Sequence, residues 1–120
     1  MRILLLLYFA VVTVFPAQAA EACKTIHGCA HRNGGDGQVR IWHIGTHHEY
    51  EPDESSWQQV EKWLEAGVTD SERAKYASPV SEVYLYADFL ICPIEPFRRG
   101  AVQRAKVKRA VRRHYTRTAE

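Results

Sequence analysis

Hydrophobic and polar residues alternate, imperfectly, on both sides of a glycine-rich segment in the first half of the chain. That segment, Asn33–Gly37, is made of residues that favour turns and tolerate positive φ. Val39 and Ile41 follow it at the spacing of a strand. The pattern predicts a β-hairpin with strands near residues 24–32 and 38–48, joined by a loop of about five residues.

The hydrophobic period then changes to that of a helix. Ser56 and Gln59 have the spacing of a capping box, which predicts that the helix begins at Ser56. Trp57, Val60 and Leu64 recur on one face of this helix. We therefore expect these three side chains to be buried against a sheet.

A second, shorter helix is predicted after Gly67, a residue typical of helix ends. Thr69 and Glu72 repeat the capping-box spacing at its start. The two helices together occupy residues 56–77.

The second half of the chain predicts two further strands. Residues 82–92 carry bulky side chains on both faces, as a central strand does. Residues 101–112 fit a strand or a helix, and we favour a strand that passes into a flexible tail from His114. The predicted fold class is α+β, with a small antiparallel β-sheet or partly open barrel of about four strands. A short helical insertion separates strands two and three.

The first 19 residues have the pattern of a cleavable signal peptide. Arg2 precedes the apolar run Ile3–Phe15, and Ala17 to Ala19 supply the small residues that signal peptidase accepts. The run has 13 residues, whereas a membrane-spanning helix needs about 20, so we do not expect an integral membrane protein. The predicted organisation is a signal peptide at 1–19, one small domain exported to the periplasm or secreted at 20–113, and a flexible basic tail at 114–120.

Three cysteines follow the predicted signal peptide: Cys23, Cys29 and Cys92. Cys23 and Cys29 are six residues apart on one predicted strand, which separates their Cα atoms by about 20 Å. A disulfide needs about 4.4–6.8 Å between those atoms, so these two cannot pair. Cys23 lies at the loose start of its strand, whereas Cys29 is fixed within the hairpin. We predict a Cys23–Cys92 disulfide that leaves out Cys29.

Charge is unevenly distributed along the chain, although the total is only +2. Residues 49–72 hold eight acids and one base, whereas residues 98–117 hold nine bases and no acid. A nearly neutral total gives no general reason to expect nucleic acid. The basic stretch instead predicts an anionic envelope component or an acidic protein as partner, with Lys and Arg side chains as contacts. These contacts are Arg104, Lys106, Lys108, Arg109 and Arg112. Alternatively, the basic stretch faces the acidic segment within the same molecule.

A histidine and cysteine cluster is a second candidate site. A symmetric turn at residues 33–37 places His27 opposite His43, with Cys29 two residues along on the same face. These three side chains are suitable ligands for zinc or copper. The pairing depends on the register, because a slip of one residue moves the side chains to opposite faces.

The sequence contains no nucleophile elbow, zinc-protease motif or phosphate loop. We therefore favour a small binding or interaction module without enzymatic activity and with no cofactor. A metal-binding (zinc or copper) or thiol-redox protein that uses the histidine and cysteine face is the alternative.

Three stretches resemble an uncharacterised family of small exported bacterial proteins. They are Ile26–Gly28, Val39–Thr46 and Tyr86–Pro93, the last leading to Gly100. The resemblance covers about half of the mature chain, and the helical residues 55–77 are an insertion relative to it. It implies export and a compact β-rich domain, and no activity.

Overall fold

Five strands and two α-helices make up the described part of the chain. The computed structural model describes residues 10–11 and 22–118, and the predicted signal peptide lies largely outside them. The elements are β1 (Lys24–Arg32), β2 (Val39–His43), β3 (Glu49–Pro52), α1 (Glu54–Glu65), α2 (Asp70–Lys75), a 3-10 turn (Pro79–Glu82), β4 (Tyr84–Pro93) and β5 (Gln103–Thr116).

The strands close into a barrel in the order β1-β2-β3-β5-β4, with β4 pairing back onto β1. All neighbours are antiparallel except β3 and β5, which are parallel. A five-stranded barrel in this order, with a helix between β3 and β4, has the topology of an OB-fold. The predicted α+β class and helical insertion are confirmed. Two details differ from the prediction. The barrel is closed and not partly open, and β3 and β5 are parallel in a sheet that was predicted to be antiparallel.

The predicted count of four strands is wrong because the predicted second strand is interrupted. Gly45 has a φ of +84°, a conformation that favours glycine, and the chain reverses there. Residues 49–52 then form β3, which pairs with β2 through Ile41 and Tyr50. What the alternation predicted as one strand is a second tight hairpin.

The helix α1 contacts all five strands and closes one end of the barrel. Val60 and Leu64 are buried, as predicted, and Trp63 is buried with them. The prediction for Trp57 is wrong, because its side chain is 37% exposed. The helix begins at Glu54, and the Asp53 carboxylate caps it by accepting a hydrogen bond from the Ser56 N–H at 3.1 Å.

Ser56 therefore is not the cap that the sequence predicts. Its hydroxyl is buried and accepts a hydrogen bond from the Val107 N–H at 2.8 Å, which ties α1 to β5. The second predicted helix is confirmed in detail, because Thr69 and Glu72 form a complete capping box.

The predicted Cys23–Cys92 disulfide is present, and it joins the residue just before β1 to the penultimate residue of β4. The last strand continues further than expected. Residues 114–116 are part of β5, where Tyr84 pairs with Thr116.

Candidate functional site

A row of cations lies on the outer surface of β5. Arg104 and Lys106 alternate with the buried Gln103, Ala105 and Val107. A β-bulge then interrupts the alternation, because Ile91 pairs with Val107 and Leu90 pairs with Arg109. Lys108 is the extra residue in this bulge, so Lys108 and Arg109 are consecutive and both exposed. We call Arg104, Lys106, Lys108 and Arg109 the β5 basic face.

Most cations of the basic stretch have no acidic partner within residues 22–118. Two of the nine form ion pairs: Arg112 with Asp88, and Arg117 with Glu72. The other seven, which include the whole β5 basic face, form none among the described residues. Arg117–Glu72 is the single described ion pair between the basic stretch and the acidic segment.

Arg112 has a different role from the other predicted contact residues. Its φ is +54°, in the left-handed region, where β5 and β4 shift register for a second time. The guanidinium donates to the Asp88 carboxylate from Nε at 2.6 Å. The hydrogen bond from Arg112 is the main cause that lowers the pKa of Asp88 below its ordinary value, and a hydrogen bond from His27 is the second cause. Arg112 therefore holds β5 to β4.

The loop between β4 and β5 adds exposed apolar side chains beside these cations. Ile94 is 39% exposed and Phe97 is 47% exposed, and Arg98 and Arg99 follow them. The loop folds against the start of β5, because the Ile94 N–H donates to the Arg104 carbonyl at 3.1 Å. The Arg104 N–H in turn donates to the Glu95 carboxylate at 2.8 Å.

A groove of about 480 Å³ lies elsewhere on the outer surface, over β1, β2 and the start of β4. Two rows of outward side chains cross these strands: Cys29 lies between Tyr86 and Trp42, and His31 lies between Tyr84 and Arg40. Cys29 is the small residue among these large ones and forms the floor. We call this the aromatic groove, and its lining consists of Cys29, His31, Asn33, Asp36, Gln38, Arg40, Trp42, Glu49 and Tyr84.

The rings of the aromatic groove are held in place. His31 and Tyr84 stack with their centroids 4.0 Å apart and an angle of 4° between the ring planes. His31 Nε2 lies 2.9 Å from the Ser81 carbonyl, which can only accept, so Nε2 carries a proton. The Trp42 indole N–H donates to the Thr46 carbonyl at 2.7 Å.

The predicted metal ligands are not brought together. Gly28, not His27, lies opposite His43, because the loop between β1 and β2 is one residue longer than a symmetric five-residue turn. His27 is exposed on the outer face, with Nδ1 3.1 Å from the Asp88 carboxylate, whereas His43 follows the inward alternation of Val39 and Ile41. Among the described residues no three histidine, cysteine or acidic side chains form a metal-binding group.

Sequence reasoning missed the aromatic groove. Its residues alternate outward along β1, β2 and β4, and that alternation is visible in the sequence. The sequence does not show the order of the strands. The groove forms because β1 lies between β2 and β4 in the closed barrel.

No helix within residues 10–11 and 22–118 has the length and hydrophobicity to cross a bilayer. Comparison of the chain with protein-family models, curated proteins and solved structures finds no match. The resemblance to small exported bacterial proteins therefore stays a prediction.

Proposed function

We propose that this protein is an exported, non-enzymatic module that binds an anionic lipid surface of the cell envelope through the β5 basic face. The observation that carries the proposal is the set of seven exposed cations without an ion pair in the described chain. Cations that stabilised the fold would be expected to lie beside carboxylates. The four of them that form the β5 basic face are exposed on the outer side of one strand, as a contact surface requires.

The cations of β5 form a row along the strand, which favours contact with an extended anionic surface. Strict alternation would leave a cation at every second position, whereas the bulge at Lys108 adds one to the row. A basic residue near an anionic membrane surface contributes about 1 kcal/mol to binding. The four cations of the β5 basic face therefore suffice for reversible binding without a deep pocket.

The exposed Ile94 and Phe97 favour a lipid surface over a soluble anionic polymer. Both lie in the loop that folds against the start of β5, next to Arg98 and Arg99. Apolar side chains flanked by cations are typical of segments that rest in the headgroup region of a bilayer.

Export is supported by two independent features. The first 19 residues have a signal-peptide pattern. The Cys23–Cys92 disulfide is compatible with an oxidising compartment outside the cytoplasm.

The test is co-sedimentation of the mature protein with vesicles that contain phosphatidylglycerol, at low salt. Replacement of Arg104, Lys106 and Lys108 by Ser should weaken binding about a hundredfold, because three contributions of about 1 kcal/mol are lost. The melting temperature should be nearly unchanged, since these side chains have no ion pair to lose within the described residues.

A charge-matched control separates location from net charge. Lys62, Arg73 and Lys75 are exposed on α1 and α2, and their replacement by Ser removes the same charge. We expect this variant to bind nearly as well as the wild type. Equal losses in the two variants, or a large loss of stability in the β5 variant without a change in binding, would contradict the proposal.

A further inference from the structure

We propose that the aromatic groove is a second binding site, separate from the β5 basic face, and that it takes a neutral oligosaccharide chain. Its volume of about 480 Å³ lies within the range of about 300–1,000 Å³ that is typical of small-ligand sites. The ligand class follows from three properties of the lining: its aromatic surfaces, its charge, and the fixed position of its side chains.

The aromatic surfaces match the apolar faces of sugar rings. A pyranose has a face of C–H groups, and these carry the slight positive charge that is attracted to the negative face of an aromatic ring. Trp42 presents an indole beside the floor at Cys29, and the stacked His31 and Tyr84 rings form the neighbouring wall.

The charge of the lining disfavours an anionic ligand. Arg40 is the single Lys or Arg of the groove, and its guanidinium lies 3.5 Å from the Glu51 carboxylate. Asp36 and Glu49 add two negative charges to the same lining. A nucleic acid or a phosphorylated lipid would be repelled here, although both have groups that can stack or donate hydrogen bonds. A neutral polyol is not repelled, and carboxylate, amide and guanidinium groups hydrogen-bond its hydroxyls.

The groove is also organised before any ligand arrives. The Trp42 indole is fixed by its hydrogen bond to the Thr46 carbonyl, and the His31 ring by its bond to the Ser81 carbonyl. Arg40 is fixed by Glu51. Side chains that are already ordered lose little conformational entropy on binding, so a shallow site can bind a weakly interacting ligand such as a sugar.

The experiment is a two-dimensional NMR titration of the mature protein with hexamers of N-acetylglucosamine and of glucose. At least one hexamer should bind saturably below about 10 mM, with the largest shifts at the groove residues. Absence of saturation with both hexamers, or shifts centred elsewhere, would overturn the proposal. So would tighter binding at the groove of a single-stranded hexanucleotide.

Two variants and one matched control locate the site. Trp42→Ala should weaken binding about tenfold, the loss of one stacking contact, whereas Trp57→Ala removes an exposed indole on α1 and should not weaken it. Cys29→Leu should weaken binding by filling the floor. Equal effects of Trp42→Ala and Trp57→Ala would refute the site. The Ser variant of Arg104, Lys106 and Lys108 should keep its affinity for the hexamer, so the two proposals fail independently.

Discussion

Tyr115 shows how one side chain joins the end of the chain to the helix that closes the barrel. Its hydroxyl donates to the Trp63 carbonyl at 2.6 Å. Its ring lies over Gly67, where an added Cβ would overlap the ring carbons. Gly67 lies two residues after the end of α1 and has no positive φ. This position needs glycine because the Tyr115 ring packs so closely against it.

We predict that Gly67→Ala lowers the free energy of unfolding by about 1–3 kcal/mol, because either the Tyr115 ring or the chain after α1 must move. Urea unfolding followed by tryptophan fluorescence measures the change. Gly34→Ala is the matched control, since a Cβ at Gly34 meets its nearest atom at 3.8 Å. If the two variants unfold at the same urea concentration, the close approach of Tyr115 does not matter.

At the residue scale the sequence predicted the burial of Val60 and Leu64 and the capping box of α2, but not the cap of α1. Val60 and Leu64 are buried because their helical spacing places both on the face of α1 that packs on the barrel. Trp57 has the same spacing but lies near the start of α1, where it is partly exposed. Asp53, and not Ser56, caps α1, because an aspartate caps a helix as well as a serine does. The Ser56 hydroxyl instead accepts a hydrogen bond from β5.

The Asp88 carboxylate links three strands. It accepts hydrogen bonds from Arg112 on β5 and from His27 on β1, and it lies on β4 itself. Arg112, and then His27, lower its pKa. A carboxylate with a lowered pKa in the folded state stabilises the fold at pH values above its unfolded pKa. That stabilisation is lost as the pH falls through the folded pKa.

We therefore predict a pH-dependent difference between the wild type and Asp88→Asn. The wild type should be more stable at neutral pH, and the difference should shrink as the pH falls below about 4. Thermal unfolding between neutral and acid pH measures it. Glu82→Gln is the control, because Glu82 has no ion pair within the described residues. A difference for Asp88→Asn that is constant at every pH would exclude a role for its ionisation.

At the element scale the sequence predicted both helices and four of the five strands, but neither β3 as a separate strand nor the register between β1 and β2. The loop between β1 and β2 joins Arg32 to Val39, which form the last pair of the ladder. The five-residue turn predicted for this loop is one residue too short. One residue of slip reverses the face of a side chain. His27 and His43 therefore separate, although β1 lies where it was predicted and β2 begins within one residue of its predicted start. The glycine-rich turn predicts that a loop is present but does not determine its length, and the length sets the register.

The disulfide acts on the whole molecule, because it closes a loop with a sequence separation of 69 residues. In the chain-entropy model such a loop stabilises the fold by about 4 kcal/mol, chiefly by restricting the unfolded chain. We predict that replacement of Cys23 and Cys92 by Ser lowers the free energy of unfolding by about that amount. Urea denaturation of the double variant measures it. A midpoint equal to that of the wild type would contradict this role.

At the scale of the molecule, local sequence signals do not determine the closure of the barrel. Tyr50 pairs with Gln103 in parallel, across half of the chain, and neither residue carries a local signal of this contact. The disulfide was predictable because spacing excluded Cys23–Cys29, and because Cys23, at the loose start of its strand, was freer than Cys29 to reach Cys92. The β5 basic face was predictable because its four cations lie within six consecutive residues, 104–109. The aromatic groove was not, since it needs β4 beside β1.

An NMR map of the bound state would show whether the β5 basic face rests on an anionic bilayer, as we propose. Lipid bicelles with and without phosphatidylglycerol would be added to the isotopically labelled mature protein. We predict line broadening with the anionic bicelles alone, confined to the loop from Ile94 and to the outward residues of β5 as far as Arg109. Broadening centred on the aromatic groove or on α1, or equal broadening with neutral bicelles, would contradict the claim.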